Sequence, residues 1–284
     1  MAETPLTLTD VAEELGLHYM TVYRYVRTGR LPAVQAGSTW LVARDDLEPL
    51  LGQGQRPRRR AEASTSVTTP TRLEARLLAG DEAGAWQLIE AALTSDVQPD
   101  NLLLDVAGPA MTSIGKRWAK GRLSVADEHQ ASVVMTRVLG RLGARFNRRG
   151  VKRGTVVVTA PAGDQHSLPV ALAANLLRWH GFKVVELGSD TPAGPLAEAV
   201  ADELARGKNG PLALGIGCTT QGALSSAARA IKEVRRRAPG VPVLVGGGAI
   251  TGRTQAESIG ADFYTGKRAD ELVRVMDGLA RDGA

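Results

Sequence analysis

The chain has 284 residues, room for two or three domains of ordinary size. Hydrophobic residues make up 43% and charged residues 23%, which excludes bulk disorder and supports packed cores. A net charge of +5 permits a nucleic-acid surface without arguing for one, and a single cysteine, Cys218, excludes an intrachain disulfide. The N-terminal residues do not read as a secretory leader, and no uncharged apolar run of about 18 residues is present. A cytoplasmic protein without a membrane span is therefore expected.

Composition divides the chain into blocks. Residues 1–51 form a small periodic unit. Residues 52–70 carry Gly, Pro, Ser, Thr and four Arg with almost no apolar side chains, and read as a flexible linker. Residues 71–150 read as a four-helix bundle and residues 151–284 as an α/β domain.

In the first block a helix is predicted over 7–15, a turn at Gly16 and a second helix over 18–28, ended by Gly29. Val22 and Val26, four apart, face inward. His18, Tyr19, Thr21 and Arg24 then face outward from the second helix. A recognition helix needs this arrangement, because its N-terminal side chains must reach base edges in the major groove. Arg27 and Arg30 suit phosphate contacts. Residues 31–42 read as a hairpin turning at Gly37-Ser38, with Trp40 packing it onto the helices. Between Glu14 and Asp45 lie four Arg and no acid, a segregation that a DNA-binding face requires. The bland alternative is a helical protein-docking domain. The run L-T-x-x-x-x-A-E-x-L-G, then T-V-Y-R-Y-V-R-T-G-R-L-P-A, a glycine hairpin and a Trp resembles excisionase-type members of the MerR superfamily. That resemblance implies a short winged helix-turn-helix and a double-stranded DNA operator as partner.

The bundle block shows apolar faces at Leu73, Leu77 and Leu78, then at Trp86, Leu88, Ile89, Ala92 and Leu93. A third helix starts after Pro99 and ends near Trp118. Ser124, with Asp127 three residues on, reads as the N-cap of a fourth helix running through Val133, Val134, Val138, Leu142 and Phe146.

From residue 154 the period changes. TVVVTAP (155–161), KVVEL (183–187), LALGIG (212–217) and VPVLVG (241–246) are buried-strand patterns separated by helical stretches, with ADFYT (261–265) a weaker fifth. This predicts an open, doubly wound, flavodoxin-like parallel sheet. Ligands of such sheets sit beyond the carboxyl ends of the strands, which directs attention to the loop after the first. There Asp164 stands two residues before His166. A carboxylate in that place can accept a proton from one ring nitrogen and leave the other free as a metal ligand. A solvated or capping histidine is the bland alternative.

Asp164-x-His166 resembles the D-x-H-x-x-G motif of cobalamin-binding domains of the methionine-synthase and methylmalonyl-mutase type, with Pro169 where the family has Gly. The resemblance implies that His166 is the lower cobalt ligand and that the displaced base and its nucleotide tail slide into the sheet. Gly247 and Gly248, after the fourth strand, fit the glycines that line the tail pocket; a generic strand–helix turn is the alternative. No G-x-G-x-x-G follows the first strand and no Walker A motif is present.

Trp118, nine residues, then Glu128-His129 adds a second motif. Singly these are a core ring, a solvated acid and a polar neighbour. Together, and in this domain order, they resemble the CarH/LitR class of B12-dependent photoreceptor repressors. That resemblance implies adenosylcobalamin as cofactor, with Trp118 packing against the adenosyl group and Glu128 hydrogen-bonding it. His129 becomes the replacement upper ligand once light has broken the cobalt–carbon bond. It also implies a homo-oligomer and a transcriptional regulator that is not an enzyme. A light-independent cobalamin-level sensor and a corrinoid methyl carrier are the rival readings. His180, at a predicted helix end before Gly181, is assigned a capping role only.

Overall fold

A computed structural model describes residues 5–15, 22–23, 25–26, 31–37, 39–47, 68–95, 97–146, 150–207, 210–266 and 268–282. The chain divides into two compact units, Met1–Glu62 and Ala63–Ala284.

In the first unit β1 (Leu6–Thr7) leads into α1 (Leu8–Leu15), and β2 (Val34–Ala36) turns through Gly37 into β3 (Thr39–Val42). The helix opens with a reciprocal cap. The Thr7 N–H and hydroxyl both donate to Asp10 Oδ2, at 2.9 and 2.7 Å, while the Asp10 N–H donates to Thr7 Oγ1 at 3.3 Å. The strands pair antiparallel in the order β1-β3-β2, with Leu6 opposite Val42 and Gln35 opposite Trp40. Val22, Tyr23, Tyr25 and Val26 are helical. Val22 is fully buried among Leu8, Val11, Leu31, Val42 and Leu47, and Val26 and Trp40 pack against that core. The outward positions His18, Tyr19, Thr21, Arg24, Arg27 and Arg30 lie outside the described residues.

The second unit opens earlier than composition predicts. Thr69 caps α2 (Pro70–Leu78), accepting from the Arg72 N–H, and Pro70 takes a first-turn position where its missing N–H costs nothing. Thr68 is buried and donates to the Leu88 carbonyl at 2.6 Å. Residues 68–70 thus belong to the bundle's edge. α3 (Glu82–Thr94) is capped by Asp81. The third helical stretch has three parts: a turn at Pro99–Asn101, a π-helical segment at Leu102–Ala107, and α4 (Gly108–Ala119). Pro109 accounts for the π segment. A proline lacks the N–H for a regular bond and its ring crowds the carbonyl four residues back, so the widened register relieves that clash. The Gly108 N–H accordingly reaches back to Leu103. α5 (Val125–Phe146) completes the bundle. Its buried face is Ala131, Val134, Met135, Val138, Leu139, Leu142 and Phe146. Val133, expected on that face, is 51% exposed, because it lies a turn position away from the stripe set by Val134 and Val138.

Five parallel strands follow: β4 (Thr155–Pro161), β5 (Lys183–Thr191), β6 (Leu212–Gly217), β7 (Val243–Gly246) and β8 (Phe263–Tyr264). Their order is β5-β4-β6-β7-β8, the doubly wound arrangement with a switch point beside β4. The intervening helices are α6 (Ser167–Trp179), α7 (Ala193–Ala205), α8 (Leu224–Arg237) and α9 (Arg253–Ser258), and α10 (Ala269–Asp282) follows the last strand. Alternation sends Val156 and Val158 into one core and Val157 into the other. The first core is continuous with the bundle: it joins Leu73, Ile89, Leu102 and Leu142 to Val156, Leu176, Leu244 and Met276. Phe146 and Trp179 meet edge to face across that junction, centroids 6.2 Å apart. Bundle and sheet domain are one packed body. His180 ends α6 as its C-cap, with Nε2 3.9 Å from Asp100 of the bundle.

Candidate corrinoid site

The loop after β4 is held from both neighbouring strands. Asp164 is wholly buried. Its Oδ2 accepts from the backbone N–H groups of Thr219 and Thr220, at 2.6 and 3.4 Å, in the loop after β6. Its Oδ1 accepts from the His166 N–H at 3.2 Å and stands 2.7 Å from His166 Nδ1. A carboxylate offers only acceptors, so in the neutral ring Nδ1 carries the proton and Nε2 carries the lone pair. The imidazole is half exposed, and Nε2 has no hydrogen-bond partner among the described residues. Asp164 and His166 therefore form the hydrogen-bonded pair that the spacing implied.

A cavity of about 110 Å³ opens between the sheet and α6 and α10. Strand glycines make it. A Cβ on Gly215 would sit 3.4 Å from Val158 and 3.7 Å from Leu272, bridging the slot from wall to wall, and one on Gly217 would reach Val170. Gly246 and Gly247 also line it. Gly247 has φ +103°, and a Cβ there would run into the Cys218 carbonyl. Gly248 is not among the lining residues, whereas Pro169, the family's missing glycine, is. Arg268 stands on the lining too, 3.5 Å from Asp105 and 3.4 Å from Asp270. Sequence reading missed Gly215, Gly217 and Arg268. The signal for the first two was present: a glycine inside a buried strand marks close approach of another group.

Cys218, at the carboxyl end of β6, is no rival ligand. Burial, with the Asp164 charge adding to it, pushes its thiol up to about 12, so it stays protonated at neutral pH.

The second motif occupies a single helix–helix turn. Trp118 lies in the last turn of α4, and the residue is 44% exposed. Gly121, at φ +65°, closes the helix with its N–H on the Trp118 carbonyl at 2.8 Å. Ser124 and Asp127 then cap α5 reciprocally: Ser124 N–H and Oγ donate to Asp127 Oδ2 at 2.8 and 2.7 Å, and the Asp127 N–H donates to Ser124 Oγ at 3.1 Å. These bonds hold the Asp127 carboxyl below its usual range. Glu128 and His129 stand in the opening turn so fixed. Glu128 Oε1 accepts from the Ser132 hydroxyl at 2.7 Å, and Oε2 is 3.8 Å from His129 Nε2. The His129 side chain is 73% exposed. Among the described residues no hydrogen bond or ion pair joins Trp118, Glu128 or His129 to His166.

Comparison with known proteins bears on these features. Two sequence profiles, each described as a B12 binding domain, match residues 71–142 and 154–274, and a helix-turn-helix domain profile matches residues 5–54. Trimethylamine corrinoid protein 1 of Methanosarcina acetivorans is 30% identical over 196 residues, 68% of this chain and 88% of that protein. The chain belongs to the B12-binding corrinoid protein family. A second relative is HTH-type transcriptional repressor CarH of Myxococcus xanthus, 32% identical over 147 residues, 51% of this chain and 46% of that protein. Among solved structures, the monomethylamine corrinoid protein of Methanosarcina barkeri shares the fold: TM-score 0.64, 16% identity, covering 76% of this chain and 99% of that one.

The residues fit a corrinoid. Among the described residues no group of three His, Cys, Asp or Glu could cage a bare metal ion. One oriented imidazole is the donor set for a metal whose other positions a macrocycle already fills. A glycine-walled slot opens between the same sheet and α6. No helix among the described residues is long and apolar enough to cross a membrane.

Proposed function

We propose that this corrinoid protein is a light-responsive DNA-binding regulator. It works in the cytoplasm as a homo-oligomer and uses adenosylcobalamin as its light-sensitive ligand. The observation that carries the reading is a helix-turn-helix domain in one chain with a complete two-part B12 module, a combination for which a methyl carrier has no use. The Trp118, Glu128-His129 turn supports the photoreceptor form. The likeness to CarH, a transcriptional repressor by name, supports the regulator. In this reading residues 1–51 are a winged helix-turn-helix, 52–67 a linker, 68–150 the upper cap and 151–284 the corrinoid domain.

Bound adenosylcobalamin supplies a weak cobalt–carbon bond that visible light cleaves. The rest is the work of the chain. His166 Nε2 would hold the cofactor from the sheet side, and Asp164, hydrogen-bonded to Nδ1, would fix the ring's tautomer and aim. The slot walled by Gly215, Gly217, Gly246 and Gly247 takes the tail. The exposed Trp118 ring and the Glu128 carboxylate offer an apolar face and an acceptor to the upper substituent. With that substituent absent, the exposed His129 imidazole would be available as a replacement upper ligand and would hold the bundle in a second position. Two arrangements of the bundle are then biased differently by dark and light.

The test is an operator-binding titration with size-exclusion chromatography, on the full chain. Three states are compared: cofactor-free, loaded with adenosylcobalamin in the dark, and the same sample after green light. A change in DNA affinity and assembly between the second and third states is expected. Identical behaviour there, with a difference between the first and second, overturns the light switch in favour of a cobalamin-level sensor.

A second reading, the corrinoid methyl carrier, is favoured by the extent of the match to the trimethylamine corrinoid protein. A chain that binds no DNA in any state, and that passes a methyl group from methylcobalamin to a thiol acceptor, establishes it.

A further inference from the structure

The carboxyl end of β5 is built unlike a strand end. Gly188 has φ +76°. Asp190 has φ +55°, and among the described residues no other non-glycine residue has a positive φ. Left-handed backbone disfavours residues that carry a Cβ, and Asp is among those that tolerate it best. It persists where surrounding bonds over-determine it, and such places cluster at functional sites.

Here the bonds are on view. Asp190 Oδ1 accepts from the Gly163 N–H at 2.7 Å, and the Asp190 N–H donates to the Asp164 carbonyl at 2.9 Å. One residue thus grips two successive positions of the loop that leads to His166. The pairing of β5 with β4 shifts register between Thr159 and Pro161, where the strand end swings toward that loop. Thr159 Oγ1 anchors the swing, 2.7 Å from Thr191 Oγ1 and 3.2 Å from the Gly188 carbonyl. On the opposite side Asp164 is tied to Thr219 and Thr220 after β6. The loop is therefore clamped from both neighbouring strands, by a buried carboxylate on one side and an exposed one on the other. An exposed aspartate contributes nothing to a core, so its two bonds act on the loop alone.

We propose that Asp190 is a positioning residue for the cobalt ligand: its left-handed backbone and its carboxylate preset the Gly163–His166 loop before the corrinoid arrives. This rests on His166 being the lower ligand. A preset loop has less to order on binding, and affinity gains accordingly.

Three variants of the full chain separate the contributions. Asp190→Asn keeps an acceptor oxygen and tolerates the left-handed region. Asp190→Gly keeps the backbone freedom and removes the acceptor, and Asp190→Ala removes both. Two readouts are taken. The first is amide hydrogen exchange at Gly163 in cofactor-free protein. The second is the electron paramagnetic resonance of added cob(II)alamin in protein labelled with ¹⁵N-histidine, where imidazole splits each line into a doublet and the cofactor's own base into a triplet.

The Gly and Ala variants should expose Gly163 to exchange, turn part of the doublet into the triplet, and bind cobalamin about tenfold more weakly, the loss of one hydrogen bond to a charged group. The Asn variant should match wild type within about twofold on each. The proposal is overturned if Asp190→Gly keeps both slow Gly163 exchange and the full doublet. A triplet in wild type overturns the His166 assignment instead, and Gly163 exchange in the unloaded variants still decides whether Asp190 clamps the loop.

Discussion

At the scale of single residues the site depends on what is small as much as on what binds. Gly215 is central: the slot exists because β6 carries no side chain there. Gly215→Val would project two methyls between Val158 and Leu272. A valine suits a buried strand, so the chain should still fold, with a melting temperature lowered by several degrees as the methyls press on Val158 and Leu272. Cobalamin, whose tail the proposed function places in the slot, should bind at least about tenfold more weakly, an overpacking effect of ordinary size. Cobinamide, which lacks the nucleotide tail, should bind as it does to wild type. Titration of both corrinoids against both proteins decides it, and an equal loss for the two would mean that the tail lies elsewhere. Asp164 and His166 were legible in the sequence because their spacing has a chemical reason. Gly215 and Gly217 were missed because a glycine's contribution is the absence of atoms, which shows only once the facing wall, Val170 and Leu272, is in place.

At the scale of elements, one device opens two helices. Thr7 with Asp10 and Ser124 with Asp127 make the same reciprocal cap, in different units of the chain. The second sets where α5 begins and so where Glu128 and His129 point. Ser124→Ala should lower the melting temperature by roughly 2–4 °C at neutral pH. Its pH dependence follows from Asp127. That carboxyl is held below its usual 3.8 by the Ser124 hydroxyl and then by the Ser124 N–H, so the cap's stabilisation is full above that value. It is lost as pH falls through the lowered one. The difference between variant and wild type should therefore shrink in acid; a difference that grew there would contradict the cap. Of the elements themselves, β4 and β6 match their apolar runs residue for residue. β5 runs four residues past KVVEL, because Gly188, Ser189 and Asp190 read as turn formers while the chain continues to pair through register shifts. The π-helical segment before Pro109 had no pattern to betray it. It follows from one proline meeting a helix that the tertiary core requires to continue.

At the scale of the whole molecule, the helix-turn-helix domain and the B12-binding module fall in separate compact units of one chain. If cofactor state controls DNA binding, the two events are linked, and linkage is reciprocal. Whatever factor adenosylcobalamin contributes to operator affinity in the dark, operator DNA must contribute to adenosylcobalamin affinity. The expected coupling is of ordinary allosteric size, about 5–150-fold. Cobalamin titrations in the dark, followed by absorbance with and without saturating operator, measure one side of the cycle. Operator titrations with and without cofactor measure the other. Both DNA arms must be run at one salt concentration, because Arg24, Arg27 and Arg30 make affinity depend steeply on it if they contact DNA as proposed. The two factors should agree. A fragment spanning residues 63–284 provides the control: it should bind cobalamin as the full chain does without DNA, and show no response to operator. Operator affinity that shifts with cofactor while cofactor affinity ignores operator would break the cycle. The apparent control would then lie in aggregation or depletion of the protein, and the regulator reading would lose its physical basis.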